Sequence, residues 1–130
     1  MTDDIRILIA EDNTLLRGVL RDALEEAGMT VVGEASDGNE AVIAAEAHRP
    51  DVIVMDMRMP NVDGIEATER ISASDWAMPV VVLSAYDEPQ MIEAALAAGA
   101  TNCLKKGVGL DDLIDAIREA HKGARAASSS

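Results

Sequence analysis

Acidic side chains stand directly after two apolar runs of this sequence. Glu11 and Asp12 follow the run 5–10, and Asp56 follows the run 52–55. Short and nearly continuous apolar runs of this kind are typical of strands that are covered on both faces of a parallel sheet. The carboxyl ends of such strands lie at one edge of the sheet, where ligands bind. The sequence therefore predicts that these three carboxylates converge.

A hydroxyl group and an amine follow two further apolar runs. Ser84 comes directly after the run 80–83, and Lys105 and Lys106 come directly after the run 101–104. By the same reasoning about strand ends, these side chains belong to the edge that carries the carboxylates. We therefore expect one rim of the sheet to combine acidic, hydroxyl and amine groups.

This combination of groups suits phosphoryl transfer. Carboxylates a few ångströms apart repel each other by roughly 4 kcal/mol per pair at an effective dielectric of about 20. A hard cation offsets that repulsion, and Mg²⁺ typically takes one or two carboxylates while it keeps several waters. Phosphate oxygens can replace those waters, and a lysine and a hydroxyl can bind the remaining oxygens. A carboxylate can itself be the nucleophile, which forms an aspartyl phosphate.

One further apolar run, Thr30–Ala35, lies between the first run and the run 52–55, which gives five runs in all. Helical patterns separate these runs. Ser36 and Asp37 follow the run Thr30–Ala35 and are interpreted as a helix cap, with Glu40 at the spacing of a capping box. The other predicted helices run up to Gly28, over residues 62–72, from about Asp87 through Pro89 to before Gly99, and along the stripe Leu110, Leu113, Ile114 and Ile117. This alternation predicts an α/β fold, a (βα)₅ doubly wound parallel sheet with right-handed crossovers.

Composition limits the partners that we expect. The formal net charge of −13 argues against direct contact with nucleic acid and against binding to anionic membranes. Cys103 is the only cysteine, so no intrachain disulfide can form. There is no run long enough to span a membrane and no signal-peptide pattern, so we expect a soluble intracellular protein. We expect one domain over residues 1–122, followed by a disordered tail or truncated linker over 123–130.

Four segments of the sequence form a recognisable set of motifs. They are Glu11-Asp12-Asn13, the pattern D-x-R-M-P-x-x-D-G in residues 56–64, residues 82–85 and residues 99–106. Together they resemble the receiver domain of bacterial two-component response regulators, and the pattern in residues 56–64 is specific to that family in this setting. The Lys106-Gly107 pair is similar to the NarL/LuxR-type branch. The resemblance implies a flavodoxin-like, five-stranded sheet in the order 2-1-3-4-5.

The resemblance also implies a role for each residue at the predicted rim. Asp56 matches the phosphoacceptor, and Glu11 and Asp12 match the acidic pair that binds Mg²⁺ together with Asp56. Asp12 is the likelier direct ligand of that pair in the family pattern, and the backbone carbonyl of Arg58 matches a third protein ligand. Lys106 matches the lysine that pairs with a phosphoryl oxygen.

Four positions bear on the conformational switch that the resemblance implies. Ser84 matches the switch hydroxyl, while Arg58 and Tyr86 match variable positions that tune dephosphorylation. Cys103 stands where the family usually has an aromatic ring, so we expect normal phosphorylation with a weaker conformational response. We interpret Cys103 as a buried small hydrophobe. The alternative to a weaker response is that Tyr86 substitutes for the missing ring.

The implied partners are a sensor histidine kinase and, on phosphorylation, a second copy of the chain. The implied output is transcription, through a DNA-binding domain that lies outside this sequence. The chain would catalyse its own phosphorylation and dephosphorylation without being an enzyme in the usual sense. Two alternatives stay open, a stand-alone receiver and an interaction module that does not use phosphate. Phosphatases of the haloacid-dehalogenase type are disfavoured because Arg58 stands where they have a second Asp.

Overall fold

The computed structural model of this chain describes residues 4–85 and 89–128. Five strands alternate with five helices, as the sequence predicts. The strands are β1 Arg6–Ala10, β2 Thr30–Ala35, β3 Val52–Asp56, β4 Val80–Ser84 and β5 Asn102–Lys105. The helices are α1 Thr14–Glu26, α2 Gly38–His48, α3 Gly64–Ser72, α4 Pro89–Ala97 and α5 Leu110–Ser128.

The strands form one parallel sheet in the order β2-β1-β3-β4-β5, which confirms the predicted fold and strand order. Every residue of β3 and β4 is buried, which explains why their apolar runs are nearly continuous. β1 and β3 are neighbours, as are β3 and β4. The segments that follow these three strands therefore meet at the centre of one edge of the sheet.

Two aliphatic layers hold the helices on the sheet, one on each face. Successive strand residues point to opposite faces, so Ile53 and Met55 contribute to one layer while Val52 and Val54 contribute to the other. The first layer also receives residues of α2, α3 and α4, and the second receives residues of α1 and α5. Close packing in these two layers therefore fixes the position of each helix relative to the strand ends.

Side-chain caps fix where three of the helices begin. Asn13, Asp37 and Asp63 each accept a hydrogen bond from the backbone N–H three residues later, over 2.8–3.0 Å. The predicted cap at Asp37 is thereby confirmed. The Glu40 carboxylate accepts from the N–H of Ser36, one residue earlier than the capping box predicted. α3 begins at Gly64 and not at residue 62, because Asp63 is its cap.

Glycines with positive φ follow two helices, at the positions where the sequence analysis ended those helices. Gly28 has φ 93° after α1, and Gly99 has φ 109° after α4. Their N–H groups return to carbonyls of the last turn, those of Glu25 and Leu96. The predicted start of the fourth helix near Asp87 lies outside the described residues.

α5 extends further than the sequence analysis expected. It continues through Gly123 to Ser128, whereas we predicted a disordered tail from residue 123. Three of the five residues after Gly123 are alanines, the strongest helix formers, and one interior glycine costs only about 1 kcal/mol. Within the described residues, no helix is both long and apolar enough to cross a membrane.

Candidate functional site

Three carboxylates meet at the carboxyl ends of β1 and β3. Glu11, Asp12 and Asp56 each offer an oxygen atom, and these atoms all lie within 4.8 Å of one another. Glu11 and Asp56 are almost fully buried, with 1 % and 3 % of their surface exposed, whereas Asp12 is exposed. The structure therefore brings together the acidic residues that the strand-end pattern selected, with Asp12 on the solvent side.

Lys106 carries the positive charge that faces this cluster. Its Nζ lies 3.0 Å from Asp56 Oδ1 and 3.1 Å from Glu11 Oε1. The backbone N–H of Lys106 donates to the carbonyl of Ser84 over 2.8 Å, which anchors the residue just beyond β5. Burial lowers the pKa of Lys106, but the contacts with Asp56 and Glu11 outweigh it and raise the pKa above its ordinary value. Lys106 is therefore held as a cation.

Lys105 has a different setting from Lys106. It is the last residue of β5, its surface is exposed, and it pairs in register with Ser84 of β4. The ammonium group that reaches Asp56 belongs to Lys106. Successive residues of an extended segment point to opposite sides, so only one of the two lysines turns towards the acidic cluster.

The Glu11 carboxylate is incompletely satisfied by its protein partners. The pKa of Glu11 is raised to about 7, mainly by burial. The hydrogen bond from the N–H of Asn13 opposes the rise, and the charge of Asp56 adds to it. Lys106 approaches Oε1 as an ion pair, yet this buried oxygen accepts no hydrogen bond of good geometry within residues 4–85 and 89–128. Buried polar atoms in proteins rarely lack a hydrogen-bond partner. An oxygen-seeking divalent cation fits this donor set, because it would take up the free lone pairs.

Ser84 ends β4 at the same rim and is 1 % exposed. In the sheet register Asp56 pairs with Leu83, so Ser84 lies one residue beyond the level of Asp56 on the neighbouring strand. The N–H of Met57 donates to the carbonyl of Leu83, which continues the pairing past the end of β3. The predicted substitute reporter, Tyr86, lies outside the described residues.

Arg58 lies exposed in the segment that joins β3 to α3, two residues after Asp56. We call residues 57–63 the acceptor loop. Its backbone turns at Asn61, which has φ 65° and donates from Nδ2 to Asp37 Oδ2 over 3.1 Å. The N–H of Gly38 donates to the carbonyl of Val62. The acceptor loop is therefore tied to the start of α2, a link that the sequence analysis did not foresee although Asn tolerates this backbone conformation.

Gly64 permits a close approach of α3 to the strand that carries Asp56. A Cβ atom at position 64 would overlap the backbone carbonyl of Asp56, and the N–H of Gly64 donates to the carbonyl of Met57. Gly64 is also the first residue of α3, so the glycine that ends the D-x-R-M-P-x-x-D-G pattern serves both close packing and the start of a helix.

Arg17 makes a second contact that the sequence analysis missed. Arg17 lies in α1, and its Nη1 donates to the backbone carbonyl of Glu11 over 2.7 Å. No motif signals this contact. It depends on how α1 packs on the sheet.

Cys103 lies in β5 opposite Val82 of β4 and is half-buried against the core layer that contains Met55. Burial raises the pKa of its thiol, which disfavours the reactive thiolate. Cys103 is therefore a small side chain packed against the core, as predicted, but it is half-buried and not fully buried.

Comparisons with known proteins agree with this geometry. The response regulator receiver domain family matches residues 7–118. The transcriptional regulatory protein PdtaR of Mycobacterium tuberculosis is 48 % identical over 112 residues, which cover 86 % of this chain and 54 % of PdtaR. Response regulator UvrY of Escherichia coli O157:H7 is 37 % identical over 122 residues, which cover 93 % of this chain and 56 % of UvrY. The chain spans about half the length of these curated relatives.

A solved structure shares both the fold and a substantial part of the sequence. The signal receiver domain of NarL from Mycobacterium tuberculosis superposes with a TM-score of 0.89 at 34 % identity, and the match covers 92 % of this chain and 98 % of that one. The family match covers most of the chain, and the fold and strand order agree with it. The chain therefore belongs to the response regulator receiver domain family, the signal-receiving unit of two-component systems.

Proposed function

We propose that Asp56 accepts a phosphoryl group from a sensor histidine kinase in a Mg²⁺-dependent reaction. One observation carries this proposal. The Asp56 carboxylate is buried at the strand rim, 3.0 Å from Lys106 Nζ and within 4.8 Å of oxygens of Glu11 and Asp12. A nucleophilic carboxylate beside a fixed cation and further oxygen ligands is the arrangement that phosphoryl transfer requires.

Each residue of the site has a separate role in phosphoryl transfer. An oxygen of Asp56 attacks phosphorus, so a new P–O bond forms while the bond from phosphorus to the donor breaks and its electron pair leaves with the donor. Lys106 holds the Asp56 carboxylate beforehand and then pairs with a phosphoryl oxygen. Glu11, Asp12, Asp56 and the carbonyl of Arg58 would hold Mg²⁺, which would neutralise charge on the carboxylates and on the phosphoryl group.

The consequence of phosphorylation is a change in partners. We propose that the Ser84 hydroxyl binds the phosphoryl group and draws the segment after β4 towards Asp56. The changed surface would then favour a homodimer and control transcription through a DNA-binding domain that lies outside this sequence. Two of the relatives are named as a transcriptional regulator and a response regulator, which supports this output. We place the exchange with the kinase in the cytoplasm.

Phosphorylation by a small donor tests the proposal directly. Incubation with acetyl phosphate and Mg²⁺ should add the mass of one phosphoryl group to the intact protein. Asp56→Asn should abolish that gain, and so should chelation of the metal. Labelling that persists undiminished in Asp56→Asn would refute the assignment of Asp56, and no labelling of the parent protein would favour an interaction module that does not use phosphate.

A further inference from the structure

We propose that Arg17 is a positioning residue that orients the acidic pair for the metal ion. The inference rests on the proposed function, because it concerns the same metal site. It deepens that function by assigning a role to a side chain outside the ligand set.

Arg17 lies in the first turns of α1, directly after the acidic pair, and only 19 % of its side chain is exposed. Its Nη1 donates to the backbone carbonyl of Glu11 over 2.7 Å, and its Nε lies 3.3 Å from Glu34 Oε1 on β2. Arg21, one helical turn later, binds the other oxygen of the same carboxylate, with Nη1 2.7 Å from Glu34 Oε2. Glu34 therefore holds the guanidinium of Arg17 against the end of β1.

The carbonyl that Arg17 binds belongs to the peptide group between Glu11 and Asp12. Because a peptide group is planar, a hydrogen bond to its oxygen restrains the orientation of the whole group. That orientation determines the direction of the backbone at Asp12. The N–H of Glu11 already donates to the carbonyl of Ala35 over 2.9 Å. With both hydrogen bonds in place, the backbone at the end of β1 is held on two sides.

Asp12 needs this control more than its two partners do. Glu11 and Asp56 are buried, and packing restricts their side chains, whereas Asp12 is exposed. Because packing does not enclose the Asp12 side chain, the orientation of its backbone has a larger effect on where its carboxylate points. Groups that orient metal ligands from outside the ligand set commonly change metal affinity by about 10–100-fold when they are removed.

The direction in which metal affinity changes on removal of Arg17 distinguishes a positioning role from a purely electrostatic effect. Arg17 is positively charged and lies beside a site for a cation, so its removal should strengthen metal binding if charge alone mattered. A positioning role predicts the opposite result. Loss of affinity on removal of Arg17 would therefore come from the orientation of the peptide group.

Arg21 provides the matched control. Arg17→Met and Arg21→Met each remove one positive charge and one contact with Glu34, but only Arg17→Met removes the hydrogen bond to Glu11. Arg17→Lys keeps the charge and a donor that can reach the carbonyl. All variants are compared below their thermal unfolding midpoints, so that a loss of folded protein does not enter the comparison.

The experiment is a titration of each full-length variant with Mn²⁺, with free Mn²⁺ followed by electron paramagnetic resonance. We expect Arg17→Met to bind Mn²⁺ about tenfold more weakly than the parent, as outer groups around metal ligands do. Arg21→Met should bind it as well as the parent or more tightly, and Arg17→Lys should recover part of the affinity. Equal or tighter binding by Arg17→Met would overturn the proposal. Failure of the parent to be phosphorylated on Asp56 would instead refute the proposed function, since Mn²⁺ binding does not depend on it.

Discussion

At the scale of single residues, the site is dominated by negative charge. Three ionised carboxylates, those of Glu11, Asp12 and Asp56, and the ammonium group of Lys106 together carry a net charge of −2. A divalent cation matches that charge. The sequence predicted this convergence because the three residues lie at or just beyond the ends of β1 and β3, and parallel strands end at a common edge.

Lys106 and Lys105 provide a test of the charge arrangement at this scale. Lys106→Met should slow the phosphorylation of Asp56 by acetyl phosphate about a hundredfold, since a preorganised charge at the reacting group is removed. Lys105→Met should leave the rate almost unchanged, because Lys105 is exposed at the end of β5. Initial rates from intact mass would measure both. If Lys105→Met were the slower variant, Lys106 would not be the lysine that serves the phosphoryl group.

Contacts made by long or turn-forming side chains could not be derived in the same way. Arg17 reaches the carbonyl of Glu11, and Asn61 reaches the carboxylate of Asp37. The first contact depends on the rotation of α1 about its axis, and the second on the distance between α2 and the acceptor loop. Neither is encoded by spacing along the chain, so the residues that are distant from the strand ends escaped the sequence analysis.

At the scale of elements, burial on both faces made the strands predictable. Every residue of β3 and β4 is buried, and both begin at the residue at which the predicted apolar runs begin. The helix ends depended on local chemistry, and where a cap or a glycine was recognised, as at Asp37 and Gly28, the prediction was confirmed. The end of α5 was missed because a small polar composition also suits a helix rich in alanine.

The junction between β3 and α3 allows a test with two glycines. Gly64→Ala places a Cβ atom against the backbone carbonyl of Asp56, so the acceptor loop or α3 must shift. We expect a destabilisation of about 1–3 kcal/mol, as for other overpacked sites. Slower phosphorylation of the folded protein should accompany it, because the shift displaces Asp56.

Gly18→Ala is the control, because nothing lies within 4 Å of a Cβ at this position in α1. It should stabilise the fold by about 0.5–1 kcal/mol, since alanine replaces glycine within a helix. Its phosphorylation rate should match that of the parent. Urea denaturation and intact mass measure the two effects. A Gly64→Ala variant as stable and as active as Gly18→Ala would show that the junction yields without cost.

At the scale of the whole molecule, the site lies between two different layers. α1 and α5 cover one face of the sheet, and α2, α3 and α4 cover the other. Ser84 and Lys106 are joined by a backbone hydrogen bond across β4 and the end of β5. A displacement of Ser84 would therefore also displace the end of β5. It would reach α4 as well, because α4 contacts both β4 and β5.

Cys103 lies on that route and sets the last prediction. It is half-buried in β5 beside Val82, and its short side chain cannot sweep the volume of an aromatic ring. Allosteric coupling is typically worth about 1–3 kcal/mol, so one missing contributor can remove a sizeable share of the response. We expect Cys103→Tyr to strengthen phosphorylation-dependent dimerisation by several-fold while the rate of Asp56 phosphorylation stays unchanged.

Sedimentation equilibrium with and without acetyl phosphate would measure that dimerisation, and amide hydrogen exchange in β4, α4 and β5 would locate the change. Cys103→Ser is the matched control, because it alters the polarity at this position without adding a ring. If Cys103→Tyr and Cys103→Ser dimerise alike, the ring at this position adds nothing to the coupling. A loss of the response in Tyr86→Ala, together with an unchanged response in Cys103→Tyr, would place the switch at Tyr86. The comparison works because phosphorylation of Asp56 is measured separately from its consequence, so a change in coupling cannot be mistaken for a change in chemistry.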